Sequence, residues 1–413
     1  MLYARLAYTA WNAGRTAQGV EVAQEGLAAV AGKAETTDVG LLLHEAARVS
    51  YFGGRAADAR RFGERALQVA ERTNDPELKA QALSTMGLVL QNEGRYAEAI
   101  EAGRQAAQVA EGACLLLTAC RAYNNLGVAL GDGLGDTRGA LDCQRRAAAL
   151  ARRARVPAQE AFQLANAIML TSDLGELAQM EELLPALQAL VQSLVDPGQA
   201  GLQLSFCEIS LCQLRAQLDE TERLTREALA FASQHGNAYH LGGMTFWLAE
   251  QLIEKEGPTE AESLLGGMLK LADDFGSGLQ PRCLLSNACA RQGRPYETRK
   301  WLDRARKLAA GRVIPLDRCY LLRAEAALAV CEKDWAACFA AFASLSDALV
   351  RLEMRFRRAY ALHEWADAHL ARGEAGDREQ ATVLLQQSLA LYEQIGSTGY
   401  IARVRERLQA LGG

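Results

Sequence analysis

The string HEWADAH, His363 to His369, is where this sequence comes nearest to metal chemistry. His363 and Asp367 lie one helical turn apart on one face, close to the two-histidine spacing of a zinc-protease helix. Asp367 stands where the second histidine is required, His369 falls off that face, and no third ligand is identifiable, so a metal-dependent enzyme is a remote alternative. VAGKAET around Lys33 lacks the earlier glycine of a phosphate loop, since Leu27 stands there, and it follows a helical stretch instead of a strand. GDGLGD, Gly131 to Asp136, has no bidentate glutamate to complete a calcium loop and reads as a turn with one extra residue. Arg145, Arg146, Arg152, Arg153 and Arg155 recur at helical spacing, and RLEMRFRRAY, Arg351 to Tyr360, repeats the pattern; both read as solvated outer faces. His235 and His240 flank a hairpin junction and are assigned to the turn. No catalytic residue, metal site or cofactor is expected.

Composition excludes several partners. The net charge of −5 offers no bulk attraction to nucleic acid or to an anionic membrane. Ten cysteines without a CxxC pair, set in apolar helical stretches, predict buried free thiols and a reducing, cytoplasmic setting. The start MLYARLAYTAWNAGR is not a signal peptide, and the apolar stretch ACLLLTAC is too short to cross a bilayer.

The elements that position these residues come from a repeat. The glycine in LQNEGRYAEAI, Gly94, has counterparts at Gly14, Gly54, Gly135, Gly175, Gly257, Gly293 and Gly373, with Ala216 and Lys333 filling two gaps. The steps are 40, 40, 41, 40, 41, 41, 36, 40 and 40 residues. Pro76, Pro157, Pro197 and Pro315 each follow a marker glycine by 22 residues, where a unit must end because proline is excluded from helix interiors. Small residues recur where two helices must touch, as in Gly87 and Ala99, or Gly127 and Ala140. The turn therefore belongs to one of about ten helical hairpins.

LSTMGLVLQNEGRYAEAIEAGRQA and YNNLGVALGDGLGDTRGALDCQRRA resemble the tetratricopeptide repeat over essentially the whole chain. The unit near 40 residues exceeds the family's usual ~34, and Gly103 and Gln144 replace its large aromatic. Such long units resemble the sensor regions of bacterial signalling ATPases, ATPase-linked adenylyl cyclases and LuxR-type activators. The resemblance implies an all-α, right-handed α-solenoid of about ten helix-turn-helix repeats forming a single domain over 1–413, with a C-terminal capping helix at 399–413. It also implies that first helices line a concave groove, which assigns His44, Arg48, Ser84, Asn124, Asn166, Met169, Phe206, Ser210, Trp247, Gln251, Asn287, Arg323, His363 and Asp367 to ligand binding. Aromatic and neutral polar groups dominate this set, which suits a protein, a peptide or a small-molecule effector better than a polyanion.

Both ends and one irregular step carry further expectations. In the last helix Tyr400, Val404, Leu408 and Leu411 face inward, and Arg403, Glu406 and Arg407 face water. Leu2, Tyr3, Leu6, Tyr8 and Trp11 leave the first helix little polar surface, so residue 1 marks an excision point or this end is covered by another domain or subunit. The 36-residue step between Gly257 and Gly293, with Gly266, Gly267 and FGSGLQP, points to a curvature change. The expected function is a non-catalytic sensor or regulatory region of a larger bacterial signalling or transcription-regulating protein. A standalone scaffold is the alternative.

Overall fold

The computed structural model describes residues 1–12, 15–195, 197–234, 238–255, 257–274, 278–310 and 314–412. Among them are 21 helices and no strand. The chain divides into two compact units, 1–167 and 168–413.

Unit 1 pairs α1 (Leu2–Asn12) with α2 (Thr16–Ala29), α3 (Thr37–Phe52) with α4 (Ala56–Thr73), α5 (Pro76–Asn92) with α6 (Tyr96–Gly112), and α7 (Leu116–Val128) with α8 (Thr137–Arg153). The division falls inside α9 (Pro157–Asp173), and α10 (Leu177–Gln192) follows it in the chain. Unit 2 continues with α11 (Gly198–Leu214) and α12 (Leu218–Gln234), α13 (Ala238–Glu254) and α14 (Pro258–Asp274), then α15 (Leu279–Arg291) and α16 (Pro295–Ala309). It ends with α17 (Pro315–Glu332) and α18 (Trp335–Arg351), α19 (Arg355–Arg372) and α20 (Asp377–Ile395), and the cap α21 (Thr398–Gly412). Ten hairpins and one cap are the elements the repeat spacing predicts.

The repeat marker is a backbone conformation. Gly54, Gly94, Gly135, Gly175, Gly293 and Gly373 are left-handed, and so are the two non-glycine markers, Ala216 (φ 60°) and Lys333 (φ 58°). A left-handed residue ends the first helix of the hairpin, and the next residue's N–H returns to a carbonyl five positions back, as from Arg95 to Leu90 at 2.9 Å. Gly257 corrects the register: its own N–H makes that bond, to Leu252 at 2.7 Å, and it is not left-handed, so it sits one position past the marker. Gly14 lies outside the described residues.

The prolines open the following helix. Pro76, Pro157 and Pro315 are first residues, where the missing N–H costs nothing, and Asp75 caps α5 by accepting from Glu77 and Leu78 at 3.0 Å. GDGLGD holds its extra residue as a π turn, Ala129–Leu134, before Asp136 caps α8 through the Gly139 N–H at 2.8 Å. A Cβ at Gly127 would stand 3.2 Å from the Ala140 carbonyl, so α7 and α8 cross backbone to side-chain-free backbone there. Gly266 and Gly267 lie inside α14, α15 has only 13 residues, and FGSGLQP falls partly outside the described residues.

Leu43, Val49, Phe62, Val69 and Leu78 belong to a core of unit 1; Leu248, Leu265, Leu284, Leu302 and Tyr320 belong to a core of unit 2. Each such side chain contributes about 1.5–3 kcal/mol by leaving water. On α1, Leu2, Tyr3 and Leu6 are exposed, whereas Tyr8 and Trp11 turn inward and hold Arg48 over their rings at 4.5 and 4.7 Å.

Unit 2 curls until its last helix meets its first hairpins. A Cβ at Gly175 would touch Ile395 at 3.1 Å, the Ser397 hydroxyl donates to the Leu214 carbonyl, and Tyr400 OH donates to Glu254 at 2.7 Å. Tyr400 and Val404 are buried as the sequence predicts, and Leu408 and Leu411 are half-buried. Arg407 departs from the solvated role expected of it, because it binds Asp367.

Candidate functional site

In unit 1 the sequence-selected residues join a chain of polar contacts across successive first helices. His44 meets the Thr85 hydroxyl through Nδ1 at 3.3 Å. Asn125 donates to Ser84 at 2.9 Å, Asn124 to the Asn125 side chain at 3.2 Å, and Asn166 to Asn124 at 3.3 Å. This ladder satisfies amides that half-burial would otherwise leave unpaired. Arg48 is a packing residue, bound to Glu45 beneath the two aromatic rings. Burial drives the His44 pKa well below its ordinary value, with the Arg48 and Arg121 charges adding to the effect.

Two cavities of unit 2 gather residues selected from sequence. The first, about 100 Å³, lies among α9, α11, α13, α17, α18 and α19. Met169, Ser210, Trp247 and Arg323, all selected from sequence, line it. Four carboxylates, Asp173, Glu250, Glu254 and Glu364, share the wall with the guanidiniums of Arg323 and Arg357. Arg323 forks onto Glu364 at 2.8 and 2.9 Å and lies over the Tyr360 ring at 4.9 Å. Glu250 sits 3.6 Å from Arg323 and 3.5 Å from Arg357, which also donates to Tyr320 OH at 3.1 Å. Burial raises the carboxyl pKa of Glu364, but the Arg323 charge overcomes this and holds it below the ordinary range. Burial raises the Asp173 pKa against the pull of the Arg357 charge.

The second cavity, about 200 Å³, is lined by α13, α15, α17, α18 and α19, and the Arg323–Glu364 pair borders both. Asn287, Arg323 and Asp367 from the selected set reach it. Phe206 packs edge-on against Trp247 at 5.1 Å, and Gln251 is engaged between α13 and α12 of the preceding hairpin, donating to Thr225 Oγ1 at 3.0 Å. His363 borders neither cavity; burial lowers its pKa against the charge of Asp367.

Several sequence assignments change. Asp367 is occupied by Arg407, and His369 stacks on Phe339 at 4.0 Å and contacts Asp377 at 2.6 Å, so HEWADAH holds α19 to its neighbours. No group of three metal-ligating side chains occurs among the described residues. His240 is buried on α13 beside Phe206, where the sequence suggested a turn, and His235 lies outside the described residues. Of the arginines read as solvated, Arg146 is exposed as expected while pairing with Glu111 at 2.8 Å, whereas Arg357 faces the first cavity. Asp173, Glu250, Glu254, Tyr320, Tyr360 and Glu364 were missed. Their signal was available only in part: each lies on a first helix, within one or two turns of a selected residue. The cysteines are free, and burial raises the thiol pKa of Cys120 and Cys143 to about 11.

A tetratricopeptide repeat profile matches residues 120–157, and no curated protein matches the chain. A Rap protein solved in complex with competence and sporulation factor has 13% identity and a TM-score of 0.54, over 96% of this chain and 98% of that one. A tetratricopeptide repeat protein from Parabacteroides merdae has 14% identity and a TM-score of 0.46, over 68% and 97% of the two chains. The apo form of RapI has 11% identity and a TM-score of 0.41, over 95% and 97%. No helix of the described residues is long and apolar enough to cross a membrane.

Proposed function

We propose that the chain, a tetratricopeptide-like α-solenoid, is a non-catalytic sensor or regulatory region of a larger cytoplasmic signalling or transcription-regulating protein, and that its peptide or small-molecule ligand enters the first cavity of unit 2. Protein interaction is the coarse role that the repeat architecture supports. The observation that carries the finer reading is Asp173: the other charges around this cavity are fixed in hydrogen bonds or ion pairs, whereas this carboxylate meets only the more distant charge of Arg357. An incompletely satisfied polar wall with Met169, Trp247 and Phe356 around it is the composition of a ligand site.

Thermal denaturation and tryptophan fluorescence with pooled short synthetic peptides test this reading. A binder must raise Tm and lose affinity in both Asp173→Asn and Trp247→Leu. Binders indifferent to both substitutions would place the ligand elsewhere and sink it. A scaffold role is favoured by one feature, the exposed Leu2, Tyr3 and Leu6 on α1. The two roles separate by hydrogen exchange: a sensor changes protection in α21 when its ligand binds, through Glu254 and Tyr400, and a scaffold does not.

A further inference from the structure

The groups that line the first cavity of unit 2 sum to −2 when all are ionised, four carboxylates against the guanidiniums of Arg323 and Arg357. Their pairings distribute that charge unevenly. Glu364 takes the Arg323 fork at 2.8 and 2.9 Å, with Arg291 at 3.3 Å, and Glu254 accepts from Tyr400 OH at 2.7 Å, with Arg403 at 3.9 Å. Neither Arg291 nor Arg403 lines the cavity. Within the wall, Asp173 and Glu250 are left to Arg357, which lies 3.5 Å from Glu250 and donates to Tyr320 OH at 3.1 Å. Burial raises the pKa of both Asp173 and Glu254, and the nearby arginines do not cancel it.

Asp173, Glu250, Trp247 and Phe356 are half-buried, so each keeps surface that an occupant of the cavity can reach. The volume, about 100 Å³, is below the roughly 150 Å³ in which an engineered apolar cavity holds benzene, so the occupant is compact. An anion would be repelled by Asp173, and an uncharged molecule would desolvate its carboxylate without a counter-charge. An ammonium supplies the charge and three donors, and aromatic faces attract it as well. We infer, on the reading that a ligand enters this cavity, that the ligand presents a primary ammonium on a short aliphatic stem, with the ammonium donating to Asp173 beside Glu250 and the stem against Trp247 and Phe356.

The test uses the full chain with three probes of like length at equal ionic strength: n-butylammonium chloride, n-butanol and sodium butyrate. Butylammonium is expected to raise Tm saturably. Calorimetry should show it binding at least about tenfold more tightly than butanol, the scale of a hydrogen bond to a charged group, and butyrate not binding. Asp173→Asn and Glu250→Gln, both isosteric, should each weaken butylammonium at least about tenfold and leave butanol unchanged, the second by releasing Arg357 onto Asp173. Trp247→Leu should weaken both probes. Acetyl-Gly-Lys-Gly-amide separates two sources of the ammonium: binding tighter than butylammonium assigns it to a peptide lysine, weaker binding to a free amine. Equal affinity for butylammonium and butanol, or butylammonium binding indifferent to both carboxylate substitutions, would overturn the inference. Should peptides bind in dependence on Trp247 while butylammonium does not bind, the inference falls and the proposed function stands; should nothing that binds depend on Trp247, both fall.

Discussion

Ser397 donates its hydroxyl hydrogen bond to the carbonyl of Leu214, 183 residues earlier in the chain, and both belong to unit 2. Two residues on, a Cβ at Gly399 would stand 2.6 Å from the Arg215 carbonyl and 2.7 Å from the Ala216 Cβ. The cap thus docks on the turn between α11 and α12, backbone against backbone. Tyr400, stacked on Tyr392 at 4.9 Å, adds the contact to Glu254 on the cavity wall.

Gly399→Ala is expected to cost about 1–3 kcal/mol, the usual price of overpacking. Hydrogen exchange should show faster opening of 398–412 without a matching change in unit 1. Unaltered protection of α21 would mean that the cap does not depend on this approach.

Lys333→Gly should raise stability by about 1 kcal/mol, because a side chain pays for the left-handed backbone that glycine adopts freely. Gly373→Ala, at the same place in the next hairpin, should lower it by a similar amount. Urea denaturation measures both; shifts of the same sign would show that neighbouring contacts, and not φ, govern these turns.

Stability should fall with acidification through His44. Its pKa is depressed in the folded chain by burial, so the unfolded state takes up a proton first. The contribution is complete above the unfolded pKa of about 6.5 and is lost progressively as pH drops below it toward the folded value. Arg48, Arg121, Glu45 and Thr85 face the ring and set this penalty. The Tm of the parent chain should decline between pH 7 and pH 5 more steeply than that of His44→Leu. Parallel slopes would remove His44 as the cause.

Arg323→Met should destabilise by about 3–5 kcal/mol, the scale for stripping one partner from a buried ion pair. The double variant with Glu364→Met should recover much of that loss, since the pair's desolvation is removed together with its attraction. A denaturation cycle with no coupling between the two sites would contradict the pairing.

The period of about 40 residues, the hairpin turns and the helical content were legible because each is local. A left-handed residue and a proline between helices act on their immediate neighbours, so Gly94 and Pro76 mark hairpin boundaries in sequence and in space alike. The exceptions were local too: Gly257 was read one position out because its neighbour is not glycine.

The candidate site was legible only in part. The resemblance to tetratricopeptide repeats singled out first-helix positions, among them Met169, Ser210, Trp247, Asn287 and Arg323, which line the two cavities. It did not tell Arg357, facing a cavity, from Arg358, which bonds Ser346 at 3.2 Å on the next face. Nor did it bring Tyr400 to Glu254 or Arg407 to Asp367. By itself the sequence determined the repeat, because turn chemistry and apolar periodicity are read within one hairpin. Only the tertiary structure decided which hairpins meet across unit 2, because that depends on small rotations between successive repeats added over the stack, and no single residue encodes the sum.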